Sequence, residues 1–242
     1  MHDGMIFSKP LALLANRVLF SHNDIMNFSG IIFDMDGTLL DSMGLWLNAG
    51  EYYLASLGIM AEKDTGEKLM EMNMISGAEF LKEKYSLNLS SMEICEGINN
   101  TLKEYYAEKI MLKNGVIDFL ETCRKKNIPL AILTNTDREL FSPCLTRLNL
   151  TKYFSEIITC SEEHTSKNHP EIFFHTSDKI NSKPENTLVI EDSYYALKTA
   201  HTAGFKTMGI YDKNTQTYTS KEKIKTYSTW YFENWKDALT LL

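Results

Sequence analysis

The stretch that decides the fold is residues 31–42, Ile-Ile-Phe-Asp-Met-Asp-Gly-Thr-Leu-Leu-Asp-Ser. Its first three residues form a short apolar run rich in β-branched side chains, which predicts a buried β-strand. The run ends in two carboxylates one residue apart, Asp34 and Asp36, and Gly37 follows directly. Two carboxylates at the carboxyl end of a strand can share one hard cation. They can also divide two tasks, with one attacking and the other moving a proton.

Downstream of residue 115, predicted strands and helices alternate along the chain. Strands are predicted at 129–134, 156–159, 187–191 and 206–211, and helices at 116–126, 138–148, 171–180 and 193–203. This alternation is typical of a parallel sheet with helices on both faces. The predicted fold class is therefore α/β, with a Rossmann-like parallel sheet whose first strand is formed by residues 31–35.

Residues 45–112 interrupt this alternation with helical patterns and no convincing strand. Helices are predicted at 45–57, 67–75, 77–85 and 91–110, and the last begins with a capping box formed by Ser90 and Glu93. The segment is thus an insertion after the first strand. We expect an α-helical cap at 44–112, an α/β core formed by 27–43 and 113–242, and an N-terminal extension outside the core at 1–26.

Polar and charged side chains collect at the carboxyl ends of the predicted strands, where open parallel sheets bind their ligands. Successive strand ends or the loops after them carry an acid pair, a hydroxyl with an amide, a lysine and a second acid pair: Asp34 and Asp36, Thr134 and Asn135, Lys167, and Glu191 and Asp192. Because these ends share one edge of the sheet, the sequence predicts that the side chains converge on a single pocket.

Composition excludes several classes of protein. The chain has 242 residues, of which 43% are hydrophobic and 24% charged, as in ordinary globular proteins. A net charge of −7 argues against a nucleic-acid partner, and the absence of an 18-residue apolar run argues against a membrane span. Four widely spaced cysteines predict reduced thiols and a cytoplasmic location. The oligomeric state is not determined by the sequence, with a monomer slightly favoured.

The motifs resemble those of the haloacid dehalogenase-like (HAD) hydrolase superfamily, in the helical-cap subgroup of β-phosphoglucomutase and phosphoglycolate phosphatase type. Residues 34–42 are close to the ideal first motif of that subgroup. The third motif keeps Lys167, Pro170 and Phe173, but it lacks the usual glycine before the lysine and the usual proline after it. The fourth motif, residues 191–193, fits well. The resemblance spans residues 28–215.

The resemblance implies a Mg²⁺-dependent phosphatase that hydrolyses a small phosphorylated metabolite through an aspartyl-phosphate. Asp34 would attack the phosphorus, and Asp36 would protonate the leaving alkoxide and then activate a water. Thr134 and Lys167 would complete the catalytic set. The implied phosphate-binding residues are Thr134, Asn135 and Lys167, and the implied metal site consists of Asp34, Asp36, Glu191 and Asp192.

Two alternatives stay open. A hexose-phosphate mutase of the β-phosphoglucomutase type relies on a cap-side histidine, and the aligned position here is Trp46, which favours water as the final acceptor. A non-catalytic regulator could bind a phosphorylated metabolite in the same pocket, but it would have no need of both Asp34 and Asp36. Dehalogenases and phosphonate hydrolases are disfavoured because they lack an acid at the position of Asp36.

Overall fold

The computed structural model describes residues 28–70, 72–215 and 219–242. The predicted N-terminal extension at 1–26 lies outside the described residues, and so does Glu71 of the inserted segment.

The core of the molecule is a six-stranded parallel sheet. Its strands are β1 (Gly30–Phe33), β2 (Leu130–Thr134), β3 (Glu156–Thr159), β4 (Thr187–Glu191), β5 (Lys206–Ile210) and β6 (Trp230–Phe232). They lie in the order β3-β2-β1-β4-β5-β6, and every neighbouring pair is parallel. The chain winds outward in opposite directions from β1 and β4, so a crevice opens beyond the carboxyl ends of these two strands. The predicted Rossmann-like sheet is confirmed.

Helices cover both faces of this sheet. They are α6 (Val116–Lys125), α7 (Arg138–Arg147), α8 (Glu171–Lys179), α9 (Tyr194–Thr202), α10 (Lys221–Thr226) and α11 (Trp235–Ala238). Alternate residues of β1 enter two separate apolar clusters: Phe33 packs with Phe119 and Trp235 in one, and Ile32 lies with Phe173 in the other. Burying each such side chain stabilises the fold by about 1.5–3 kcal/mol, which is why a fully apolar strand forms here.

The inserted segment is helical in the structure. It forms α1 (Met43–Leu47), α2 (Ala49–Ser56), α3 (Thr65–Met70), α4 (Met74–Lys84) and α5 (Ser91–Glu108). The predicted capping box at the start of α5 is present, with reciprocal hydrogen bonds between Ser90 and Glu93. The division of the chain into a core and a cap stays a prediction.

Three details differ from the sequence-based prediction. The predicted helix 45–57 is interrupted at Asn48, whose side-chain amide donates to the Gly44 carbonyl at 2.7 Å. The predicted helix 67–75 is wrong at its end, because Asn73 caps α4 by accepting the Ser76 N–H at 2.9 Å. The strand β6 was missed, since it has only three residues and all are half-buried, so it leaves no clear hydrophobic pattern.

Candidate active site

Asp34 lies at the end of β1, on the central crevice of the sheet. Its backbone N–H donates to the Ile190 carbonyl of β4 at 2.9 Å, and its side chain is nearly buried. The chain then turns tightly, with Gly37 at a φ of +82°. A Cβ on Gly37 would stand 2.3 Å from Asp192 Oδ2. The first motif therefore needs glycine both for its backbone conformation and for its contact with the fourth motif.

Lys167 joins the first and fourth motifs by ion pairs. Its ammonium donates to Asp34 Oδ1 and, at 2.7 Å, to Glu191 Oε1. The other oxygen of Glu191, Oε2, accepts the backbone N–H groups of Asp192 and Ser193, both at 3.1 Å. Lys167, Glu191 and Asp192 are each no more than 2% exposed. The structure thus brings together four of the residues that the sequence indicated.

The cluster carries more negative than positive charge. Oxygen atoms of Asp34, Glu191 and Asp192 all lie within 4.8 Å of one another. Burial, and then the charge of Glu191, raise the pKa of Asp34 to about 7. Burial also raises the pKa of Asp192 well above its usual value. For Lys167, burial opposes the charged form, yet the charges of Asp34 and Glu191 outweigh it and hold the pKa well above the usual range.

Three buried carboxylates beside one ammonium form a site that a divalent cation would balance. An all-oxygen set of this kind suits a hard cation. Asp34 Oδ2 accepts no hydrogen bond from the described residues and is open to a ligand. Asp192 is held from two sides, by Thr38 Oγ1 at 3.4 Å and by Thr215 Oγ1. The residues therefore fit a divalent metal ion, with Glu191 already engaged through both oxygens.

Asp36 is half-buried and surrounded by hydroxyl groups. Its Oδ1 accepts from Ser42 Oγ at 2.5 Å and from the Tyr106 hydroxyl, and its Oδ2 accepts from Thr136 Oγ1 at 2.7 Å. Burial, followed by the charge of Asp36, raises the pKa of Tyr106 well above its usual value. Sequence reasoning missed Tyr106 and Thr136. Thr136 had a weak signal as a second hydroxyl two residues after Thr134, but Tyr106 had none, because it lies 70 residues from Asp36.

Thr134 and Asn135 stand at the end of β2, as expected, but outside the lysine network. Thr134 Oγ1 is buried and accepts the Thr136 N–H at 3.0 Å. The Asn135 side chain is exposed and donates to the Tyr195 hydroxyl at 2.6 Å. Within the described part of the chain, neither side chain hydrogen-bonds to Asp34 or Lys167. Their phosphate-binding roles stay predictions.

Lys113 is a second lysine of the site that the sequence did not indicate. Its ammonium donates to the carbonyls of Gly37 and Tyr211, each at 2.6 Å, and pairs with Asp212 at 3.1 Å. It thereby ties the turn after Asp36 to the loop after β5. Its sequence position, directly before α6, gives no hint of this contact.

Over the described ranges, no helix has both the length and the apolar character required to span a membrane. All four cysteines are buried and unpaired, as the sequence predicts.

Residues 31–210 match the family model of the haloacid dehalogenase-like hydrolases. A phosphorylated carbohydrates phosphatase from Thermotoga maritima is 29% identical over 176 residues, covering 73% of this chain and 82% of that protein. A phosphoglycolate phosphatase from Salmonella typhi is 26% identical over 213 residues, covering 78% and 83%. The crystal structure of a β-phosphoglucomutase from Clostridium difficile shares the fold, with a TM-score of 0.67 at 19% identity over 87% of this chain and 92% of that one.

Proposed function

The chain belongs to the haloacid dehalogenase-like hydrolases, and from this premise we propose that it hydrolyses a small phosphorylated metabolite through an aspartyl-phosphate formed on Asp34, with Mg²⁺ as cofactor. Its relatives in the family include phosphatases of phosphorylated carbohydrates and of phosphoglycolate. The chain is accordingly a phosphoric monoester hydrolase. The substrate we propose is a phosphorylated carbohydrate or phosphoglycolate.

One observation carries this proposal: buried Lys167 bridges Asp34, at the end of β1, and Glu191, at the end of β4, with the carboxyl group of Asp192 beside them. A structural ion pair would need only one carboxylate for one lysine. Here two further carboxyl groups stand in a site that is almost closed to solvent, and keeping them ionised is costly unless a ligand or cation completes the site.

The residues divide the reaction into two displacements. In the first, Asp34 attacks the phosphorus, a new O–P bond forms, and the bond to the leaving oxygen breaks while Asp36 supplies a proton to that oxygen. In the second, Asp36 removes a proton from a water that attacks the same phosphorus, and Asp34 is released with inorganic phosphate. Lys167 reduces the repulsion between Asp34 and the anionic substrate.

The remaining assignments follow from position. A bound Mg²⁺ would supply charge neutralisation between nucleophile and phosphoryl oxygens. We propose that this ion would be held by Asp34, Asp192, Glu191 and the backbone carbonyl of Asp36. Thr134, through its hydroxyl, and Asn135, through its backbone N–H, are proposed to bind phosphoryl oxygens. The helical segment 44–112 is proposed to act as a cap that selects the leaving group. The four unpaired cysteines support a cytoplasmic location.

The first test is turnover. Wild-type protein should hydrolyse p-nitrophenyl phosphate and at least one alkyl phosphate from a panel of sugar phosphates and phosphoglycolate. Addition of EDTA should abolish the activity, and excess Mg²⁺ should restore it. Asp34→Asn removes the nucleophile and should lower kcat at least about 1,000-fold. The matched control is Asp178→Asn, which changes an exposed carboxylate on α8 and should leave kcat unchanged.

Other outcomes would separate the alternatives. Conversion of β-glucose 1-phosphate to glucose 6-phosphate without release of phosphate would establish the mutase, despite Trp46. Binding of phosphorylated metabolites with no metal-dependent turnover of any ester would favour the regulator. Full activity in Asp34→Asn would contradict the aspartyl-phosphate mechanism.

A further inference from the structure

The carboxylate of Asp36 has one oxygen fully engaged and one partly free. A carboxylate oxygen offers about two lone-pair positions to hydrogen-bond donors. Both positions of Oδ1 are used, by Ser42 at 2.5 Å and by the Tyr106 hydroxyl. Among the described residues, Thr136 is the one donor that reaches Oδ2, at 2.7 Å. One lone pair of Oδ2 therefore remains for a proton.

The hydrogen bond from Tyr106 has a fixed direction because of its neighbour. Trp46 Nε1 lies 2.6 Å from the Tyr106 oxygen. An indole N–H can donate but cannot accept, so the Tyr106 oxygen must accept from Trp46. The single proton of the Tyr106 hydroxyl is then left for Asp36. These two hydrogen bonds form a chain with one donor order: Trp46 donates to Tyr106, and Tyr106 donates to Asp36.

Packing holds these two hydrogen bonds in place. Tyr106 is completely buried, and its ring meets the Trp46 ring edge-on at 6.4 Å. The end of α5 that carries Tyr106 is anchored to α7, because Arg147 donates to the carbonyl of Ala107 at 2.7 Å and to that of Ile110. The Tyr106 hydroxyl therefore has little freedom to turn away from Asp36.

We propose that Tyr106, held by Trp46, is a positioning residue that occupies Oδ1 of Asp36 so that proton transfer proceeds through Oδ2. This inference rests on the proposed phosphatase function. Oδ2 gives its proton to the leaving oxygen as the bond between that oxygen and phosphorus breaks. It later takes a proton from the water whose oxygen bonds to phosphorus and releases Asp34. Tyr106 and Trp46 both lie in segment 44–112, whereas Asp36 lies beside β1. The hydrogen bond from Tyr106 to Asp36 thus joins the inserted segment to the carboxyl end of β1.

The test uses the leaving group. An alkyl phosphate leaves as an alkoxide that needs a proton, whereas p-nitrophenolate is stable without one. The value of kcat/KM covers the steps up to departure of the leaving group, so it isolates the acid role of Asp36 from the later water step. The probes are p-nitrophenyl phosphate and the alkyl phosphate that wild type hydrolyses fastest in the panel above.

Tyr106→Phe removes the hydroxyl and keeps the ring. We expect kcat/KM to fall about 10- to 100-fold for the alkyl phosphate and less than about threefold for p-nitrophenyl phosphate. Trp46→Phe removes the N–H that orients Tyr106, together with part of the indole ring, and should give the same pattern with a smaller loss. This second variant also serves if Tyr106→Phe fails to fold.

The matched control is Tyr105→Phe, the same change one residue earlier, where the ring stacks on Tyr52 at 5.7 Å. It should leave both kcat/KM values unchanged. Equal losses on the two substrates would reduce Tyr106 to a structural role and overturn the inference, as would no loss in either variant. Failure of the function itself looks different, because wild type would then hydrolyse neither ester.

Discussion

Gly37 is the residue at which a constrained backbone conformation meets the proposed metal site. It adopts a φ of +82°, and any Cβ there would press on Asp192 Oδ2 at 2.3 Å and on the Met43 side chain at 2.6 Å. Gly58, after α2, adopts a similar φ of +75°, but a Cβ there meets nothing within 4 Å. Both glycines have a backbone conformation that disfavours other residues, but only Gly37 also lacks room for a Cβ.

Alanine substitutions at the two glycines separate the effect of backbone strain from the effect of moving Asp192, a proposed metal ligand. Gly58→Ala should lower the free energy of unfolding by about 1–2 kcal/mol, because alanine is disfavoured at positive φ. Gly37→Ala should lower it by at least as much, because its Cβ must also displace Asp192 and Met43. Only Gly37→Ala should also raise the Mg²⁺ concentration needed for half-maximal activity, by about tenfold or more, because it moves Asp192. Urea unfolding and Mg²⁺ titrations of activity measure the two effects. The same Mg²⁺ requirement in both variants would mean that Asp192 does not bind the metal.

The helix α5 is the element that connects the inserted segment with the site. It starts at the Ser90 capping box, packs against α2, α4 and α7, and carries Tyr106 near its far end. Because the helix has 18 residues, it is long enough to pack against helices of the inserted segment and against α7 of the core. The placement of Tyr106 therefore depends on the integrity of the whole helix.

The capping box provides a test at this scale. In Ser90→Ala, the Glu93 N–H loses its side-chain acceptor, and the free energy of unfolding should fall by about 1 kcal/mol. Ser91→Ala, one residue later, removes a hydroxyl that takes no part in the cap and should change stability by less than about 0.5 kcal/mol. Urea unfolding of the two variants gives the comparison. Equal stabilities of the two variants would show that the Ser90–Glu93 capping box does not stabilise the folded protein.

The elements also show how far sequence patterns reach. Buried parallel strands such as β2 and β4 are continuous apolar runs, and their bounds match the prediction to within one residue. By contrast, the short strand β6 and the helices α10 and α11 were not predicted. They have three to six residues each, too few for a period to stand out from chance.

At the scale of the whole molecule, the site exists because the fold places distant charges together. Asp34 and Lys167 are 133 residues apart in the chain, and they meet because β1 and β3 end at the same edge of one sheet. Their neighbours Glu191 and Asp192 arrive from a further strand. Folding brings three buried carboxyl groups together beside one lysine, so a cation that binds their ionised forms should stabilise folding as well as support catalysis.

Metal binding should therefore raise the thermal unfolding temperature. At a Mg²⁺ concentration about 100-fold above the dissociation constant, the gain is about 2.7 kcal/mol, or about 5–10 °C for a chain of this size. Asp192→Asn should lose most of this shift, whereas Asp178→Asn should keep it. Scanning calorimetry with MgCl₂, and with NaCl at equal ionic strength, measures the specific part. An unchanged shift in Asp192→Asn would place the cation elsewhere.

The sequence by itself determined the α/β class, the main strands and the helical insertion, and it indicated Asp34, Lys167, Glu191 and Asp192, which the structure brings together. Most of these can be read from local patterns: apolar runs, caps, and polar residues directly after strands. Lys167 lies in the loop after β3 and was indicated by that loop and by its motif with Pro170 and Phe173. Only the tertiary structure decided that Trp46 reaches Tyr106, that Tyr106 reaches Asp36, and that one oxygen of that carboxylate stays available. Such contacts join segments 60 and 70 residues apart, and they depend on how helices pack on the sheet, which no local period encodes.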